Sequence, residues 1–414
     1  MKIRSYAMLS VLLVVFLDML GIGLVIPLFS PLLLETNMFL PETDTFAQRS
    51  IMLGLLIGIY SFAQFLGSPI FGSLSDKYGR RPIMLISLWG RFFGYLVQVA
   101  GMWMVSLEIL FIGRFITGFT GGNIAIAMSA VADVSTRATK SANFGYVGMA
   151  FAIGLVLGPF LGGVLSDPSI IPWFGYATPF VVTVFLSLFN IVIFHKYYQE
   201  TLKRLSSRVK VDILMSFRNI ATAFTLPHLR VMFLVVFLVS IGFGFFTEFY
   251  QVTLIKEFDF NAEQIGLTFA YVGFWVAISQ GIINKPLSKI MKPARILSFS
   301  MLLASIFFII LILPHEAMYI YLILPFVAVF LGITEPNYNA VVSNLVSERV
   351  QGQVLGVTQS VQSLAYGIPP VVAGLVVALD MNLPMELAAL MTFLAWAVFI
   401  LFFYRKKGVV KTVV

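Results

Sequence analysis

The chain has 414 residues, 59% hydrophobic and 11% charged, and a mean hydropathy of +0.95. A soluble domain carries roughly 45–50% apolar and about 25% charged residues, so a water-surrounded globule with one core is excluded. The absence of cysteine excludes disulfides, thiolate metal sites and cysteine nucleophiles, and the net charge of +8 has to be read from where the charges stand.

Crossing the hydrocarbon core takes about 20 apolar residues in helix. Such stretches are predicted near 6–34, 51–74, 83–104, 107–131, 143–166 and 175–197, spans 1 to 6. Span 1 is too long for a signal peptide and has no small-residue cleavage site before Glu35. Spans 7 to 12 are predicted near 229–253, 263–284, 295–314, 317–345, 353–379 and 384–404. The polar, basic stretch 198–228 separates the two sets. Its apolar spacing (Leu202, Leu205, Val209, Ile213, Phe217, Ile220) predicts an amphipathic helix lying on the membrane surface. The expected organisation is therefore an N-terminal six-helix bundle over 1–197, a cytoplasmic linker over 198–228 and a C-terminal six-helix bundle over 229–414, an all-α integral membrane protein with 12 transmembrane helices.

Lysine and arginine set the orientation. With the N-terminus inside, the inner segments hold Lys77, Arg80, Arg81, Arg137, Lys140, the central-loop group and the C-terminal Arg405 to Lys407, whereas the outer loops hold only Arg49 and Lys256. Both termini are thus expected in the cytoplasm, with the basic charge facing lipid headgroups and not nucleic acid. His195, His228 and His315 have no ligand spacing. Neither a His-Glu-x-x-His pair nor a phosphate-binding glycine loop followed by Lys-Ser/Thr is present. No metal, no cofactor and no enzymatic activity are expected, and ATP within this chain is not expected to be the energy source.

Between spans 2 and 3 the chain reads G-S-L-S-D-K-Y-G-R-R-P, residues 72–82. Gly79 is suited to a turn with positive φ, and Pro82 to the first turn of the following helix. Gly72, Asp76, Gly79, Arg80 and Arg81 stand in the register of the loop signature of the major facilitator superfamily, which this segment resembles. The resemblance implies an inner gate: Asp76 facing the helix N-terminus near Gly352, where a helix dipole favours an anion, and Arg80 paired with Asp133. Span 4 carries Arg114 with Gly118, Gly121 and Gly122, similar to the family's arginine motif. Span 5 carries Gly154, Gly158, Pro159, Gly162 and Gly163, which resembles the motif of the exchanging, drug-exporting branch. Small residues four apart also let helices approach closely, so packing alone accounts for this pattern equally well, as it does for Gly54 and Gly58. With L-D-M-L-G-I-G-L-V-I-P at 17–27 and Q-G-Q-V-L-G-V-T-Q-S at 351–360, the chain is most similar to the twelve-helix drug/proton antiporters of the tetracycline-exporter group. Two departures stand out. Residues 284–295, where the second half would repeat the loop signature, are degenerate, and 295–314 hold none of the acid that tetracycline exporters place there.

Ionisable groups inside a span cost at least about 2.5–3.5 kcal/mol and so face a partner or a cavity. Five stand out: Asp18, Arg91, Arg114, Glu248 and Glu335. At 1.5 Å of rise per residue, Asp18 lies within one to two turns of both Arg91 and Arg114 along the membrane normal. Asp18 and Glu335 are the proton-coupling candidates; the alternative for Asp18 is a permanent structural pair with either arginine. Glu248 reads as an outer-gate group. Asn123, Gln251, Gln280, Asn337 and Tyr338 join Arg91, Arg114 and Glu248 as candidates to line the substrate cavity. The function expected is proton-coupled efflux of a small amphipathic or drug-like molecule by a monomer in a bacterial inner membrane, with the lipid bilayer, protons and the small molecule as its partners. The alternative is a transporter, possibly an importer, of a small organic anion such as a carboxylate metabolite or siderophore. A transport-inactive receptor is the remaining class.

Overall fold

The computed structural model describes residues 2–25, 28–29, 31–202, 227–260, 262–314, 316–369 and 382–404. Among these residues there are helices and turns and no strand. Backbone polar groups cannot go unpaired in hydrocarbon, which is why long apolar stretches become helices.

The helices are α1 (Lys2–Val25), α2 (Phe46–Tyr78), α3 (Arg80–Trp103), α4 (Leu107–Thr120), α5 (Asn123–Val134), α6 (Lys140–Ser166) and α7 (Thr178–Tyr197). They continue as α8 (Pro227–Phe258), α9 (Ala262–Ile278), α10 (Asn284–Ile290), α11 (Pro293–Ile310), α12 (Ala317–Asn344), α13 (Gln351–Tyr366) and α14 (Leu383–Val398). Eleven helical spans among the described residues are long and apolar enough to cross a membrane, α4 with α5 and α9 with α10 each counting as one. The expected eleventh span, 353–379, is described only as far as residue 369. The amphipathic helix expected in the linker falls mostly outside the described residues, which resume at 227.

Three spans differ from their expected form. Span 1 is not one helix to residue 34: α1 ends at Val25, and Pro31–Glu35 forms a separate π turn. Pro27 and Pro31 each remove a backbone donor that a continuing helix needs. Span 4 breaks at Gly121–Gly122 into α4 and α5. Span 8 runs on past 284: a π turn at Ser279–Ile283 joins α9 to α10, which ends at Ile290.

The chain forms two compact units that do not follow a single cut in the sequence. The first comprises Met1–Val134, Ala150–Ser216 and Glu348–Ser360; the second comprises Ser135–Met149, Phe217–Ser347 and Val361–Val414. In the first, α3 packs on α4 and α7, and α1 on α7, around a core that includes Leu24, Phe29, Leu56, Val99 and Phe180. In the second, α8 packs on α14, α11 on α12 and α14, and α9 on α12, around Phe246, Tyr250, Phe308, Leu324 and Ala388.

Packing accounts for most of the span-5 glycines. A Cβ on Gly158 would lie 2.5 Å from the Gly23 Cα, one on Gly154 2.6 Å from the Phe16 carbonyl oxygen, and one on Gly162 2.5 Å from that of Leu24, so α6 presses on α1 along this row. Pro159 sits inside α6. Gly163 has nothing within 4 Å, and neither do Gly54 and Gly58, whose expected packing role is therefore corrected: they face open space.

Candidate functional site

The turn between α2 and α3 is built on Gly79 at φ 100°, a conformation that an L side chain resists. It directs Arg80, fully buried, back onto two carboxylates: Nη1 lies 2.6 Å from Asp76 Oδ1, and Nε 3.0 Å from Asp133 Oδ2. Asp76 also accepts the backbone N–H groups of Gly352, at 3.0 Å, and Gln353, at 2.8 Å. These are the first exposed donors of α13, where the helix dipole stabilises an anion. A Cβ on Gly72 would collide with the Gly352 carbonyl, so the glycine permits the approach of the two backbones. Arg81 lies at the edge of this cluster, and its Nη2 donates to the His195 carbonyl at 2.9 Å.

One member of this cluster was not singled out in the sequence. Glu200 accepts the backbone N–H groups of Arg80 at 3.1 Å and Arg81 at 2.9 Å, the first two of α3, as well as those of Thr201 and Leu202. Thr201 Oγ1 donates to Asp133 at 3.2 Å. The first residues of the polar stretch are thus tied to the gate cluster. Nothing in the sequence marked Glu200 beyond its place in a charged segment.

Within the first unit, Asp18 is buried on α1 and meets side chains from three other helices. Asn123 Nδ2 of α5 donates to it at 2.5 Å and Asn190 Nδ2 of α7 at 3.1 Å, while Arg91 Nη1 of α3 lies 3.4 Å away. Arg91 Nη2 also donates to Asn123 Oδ1 at 3.4 Å. The break at Gly121–Gly122 starts α5 at Asn123, and the carbonyls that it frees are satisfied: Ser87 Oγ donates to Thr120 at 2.6 Å and Gln64 Nε2 to Gly121 at 3.3 Å. The other arginine lies apart from Asp18. Arg114 donates to the carbonyls of Leu56, at 3.3 Å, and Ile57, at 3.5 Å, and its guanidinium stands 5.2 Å from the Phe29 ring centre and 4.7 Å from that of Tyr60. No carboxylate lies within 4 Å of it among the described residues.

The second unit has a different chemistry. Asn337 Nδ2 donates to Asn284 Oδ1 at 2.8 Å, Asn284 Nδ2 to the Ser141 carbonyl at 2.8 Å, and Ser141 Oγ to Asn337 Oδ1 at 2.7 Å. This neutral cluster joins α6, α10 and α12. Asn337 is thereby committed to holding helices together. Gln280, in the π turn, packs against Gly148 and leaves its Oε1 without a partner; π turns interrupt helices frequently at functional positions. Tyr338 is buried. Glu335 is half-buried and receives one long bond, from Gln362 Nε2 at 3.5 Å. The side chains of Glu248 and Gln251 lie outside the described residues.

A family model described as Major Facilitator Superfamily matches residues 11–370 and, in a second match, 232–413. The chain belongs to the major facilitator superfamily. This major facilitator is accordingly a transporter of small molecules in a membrane and not an enzyme. It is 28% identical over 416 residues to the class H tetracycline resistance protein of Pasteurella multocida, which covers 99% of this chain and 98% of the relative. It is 29% identical to the class G tetracycline resistance protein of Vibrio anguillarum, over 87% of this chain and 88% of that one. Among solved structures, the human organic anion transporter MFSD10 superposes with a TM-score of 0.81 at 23% identity, covering 95% of this chain and 99% of that one. The proton:xylose symporter XylE gives 0.75 at 14% identity, covering 96% of each. At these identities the structural likeness speaks for the fold.

Proposed function

We propose that this transporter exports a small amphipathic, drug-like molecule in exchange for protons, by alternating access. The six-helix halves 1–197 and 229–414 rock about a central site in a bacterial inner membrane, with both termini in the cytoplasm and the protein acting as a monomer. The cluster of Asp76, Arg80, Asp133 and Glu200 latches the cytoplasmic side, and the glycine row of α6 lets α1 and α6 move as one. Export is favoured by the likeness to tetracycline resistance proteins along nearly the whole chain. The observation that carries the coupling is Glu335, a carboxylate in mid-span with no ion pair among the described residues; such a group takes a proton or a charged solute. Asp18, held by Arg91 and two asparagines, serves as a fixed charge that orders α1, α3, α5 and α7.

Everted membrane vesicles test this reading. Uptake of fluorescent amphipathic drugs against their gradient should follow an imposed pH gradient, stop when it is collapsed and stop in Glu335→Gln. Wild-type uptake in Glu335→Gln would refute the coupling role. A second reading, organic anion transport, is favoured by Arg114, which has no carboxylate within 4 Å among the described residues, and by the likeness to MFSD10. Anion uptake that is lost in Arg114→Ala would establish it in place of the first.

A further inference from the structure

Glu335 lies among apolar stretches of the surrounding helices. Residues 231–247 of α8, 264–283 of α9, 296–310 of α11, 351–366 of α13 and 141–149 of α6 contain no Asp, Glu, Lys, Arg or His, and α12 holds no other charged residue. The titratable groups facing it are the phenols of Tyr338, one turn along α12, and Tyr366 on α13. The charged groups beyond the apolar stretches include Glu248, next along α8 with its side chain outside the described residues, Lys140, which donates to Ser343 Oγ at 3.0 Å, and Arg230, Glu257, Lys285 and Arg295 near helix ends.

The surroundings of this carboxylate have a definite selectivity. The Gln362 amide that reaches it also donates to Tyr366 Oη at 3.2 Å, and the Tyr366 ring lies 6.0 Å from that of Phe243, centre to centre. A hard metal ion wants about six oxygens, and no group of three candidate metal ligands exists among the described residues. A single carboxylate beside aromatic faces suits a weakly hydrated organic cation, which the negative ring faces attract. Arg114 in the first unit offers an anion no comparable place. It is 3% exposed, and carbonyls and rings already share its charge, whereas Glu335 is partly exposed.

We propose that Glu335 is the subsite for a cationic group of the substrate, and that the substrate's ammonium and the coupling proton occupy this one carboxylate in turn. Resting on the export reading above, the inference names the cargo class: lipophilic organic amines and permanent organic cations. In the exchange, the cation enters as the carboxylic acid releases its proton to water, and net charge at the site is conserved.

The test uses the purified full-length protein in detergent with tetraphenylphosphonium, a permanent lipophilic cation, and triphenylphosphine oxide as its neutral counterpart. Between about pH 5.5 and 8.5 the phenols do not ionise. Over the range where the carboxylate titrates, tetraphenylphosphonium affinity should rise about tenfold per pH unit, with up to one proton released per cation bound; the oxide should show neither effect. Glu335→Gln should weaken cation binding at least about tenfold and abolish proton release, and Glu335→Asp should retain both. Wild-type tetraphenylphosphonium affinity in a folded Glu335→Gln, or pH-independent binding without proton release in the wild type, overturns the proposal. Proton-releasing binding without pH-driven export in vesicles supports the subsite and sinks only the export reading. Export without that exchange sinks only the subsite.

Discussion

Substituting Asp76 by alanine should free the first turns of α13 from the Gly79 end of α2. The carboxylate accepts three hydrogen bonds, from Gly352 N–H at 3.0 Å, Gln353 N–H at 2.8 Å and Arg80 Nη1 at 2.6 Å. Hydrogen bonds to a charged group contribute about 1.5–3 kcal/mol each. Arg80 keeps Asp133 and Ser75, so most of the loss falls on the two backbone donors, about 3 kcal/mol or more against the docked state. At about 1.4 kcal/mol per tenfold, detachment should become on the order of 100-fold more populated. The chain has no cysteine, so a single introduced one reports alone. Ser360, fully buried and bonded to the Phe65 carbonyl at 2.6 Å, is the place for it. Maleimide labelling of Ser360→Cys should be slow, and at least about tenfold faster when Asp76→Ala is added. Asp76→Asn, which keeps an acceptor, should fall between. A folded double variant whose labelling rate stays within about threefold of the single one would refute the latch.

Arg91→Ala leaves Asp18 buried without its cation and should destabilise the protein by about 3–5 kcal/mol; adding Asp18→Asn should restore most of the loss in a thermal melt. Gly158→Ala, forced against the Gly23 Cα at 2.5 Å, should lower the melting temperature markedly, while Gly163→Ala, with nothing within 4 Å, should leave it unchanged. Glu200→Ala removes the acceptor for the first two N–H groups of α3 and should cost about 1–2 kcal/mol, read as faster amide exchange at Arg80 and Arg81. Arg49→Ala should increase proteolysis of the loop between α1 and α2, because Arg49 holds that loop through Thr36 at 2.8 Å, Asn37 at 2.7 Å and Pro41 at 2.9 Å.

The membrane fold and the gate loop were legible in the sequence because each depends on local constraint. About twenty apolar residues dictate a helix wherever they fall, and Gly79, Arg80 and Pro82 carry their geometry with them. Height along a helix was legible too, but direction around its axis was not. The rise per residue put Asp18 equally near Arg91 and Arg114, yet only Arg91 faces it, at 3.4 Å, while Arg114 turns to Phe29 and Tyr60. The same blindness hid Asn190, Gln362 and Asn284, ordinary amides until the facing helix is known. In span 1 apolarity runs on past Pro27 and Pro31, but α1 stops at Val25.

The degenerate loop between α10 and α11 fits this asymmetry. In the first unit, a carboxylate at the end of α2 holds the first turn of α13, and Arg80, Asp18, Arg91 and Arg114 are buried charges that are paired or enclosed. In the second, the corresponding contact is made by Asn284, whose amide donates to Ser141 in the first turn of α6 at 2.8 Å, with Asn337 closing the ring. A neutral amide ring needs no arginine to balance it, so an aspartate–arginine pair is not required to hold that end, and 284–295 carries Lys285, Lys289, Lys292 and Arg295 but no acid. An aspartate at 284 would also place a buried negative charge against Asn337, on the same helix as Glu335. The apolar stretches around Glu335 hold no other charged residue, which leaves Glu335 as the group there whose charge responds to a proton or to a cation. Asn284→Asp should therefore weaken the pH dependence of transport as well as the α6 contact. Asn284→Gln, neutral but one methylene longer, should loosen the contact and leave the pH profile in place. Equal shifts of the pH profile in both variants would refute this account of why the second loop carries no acid.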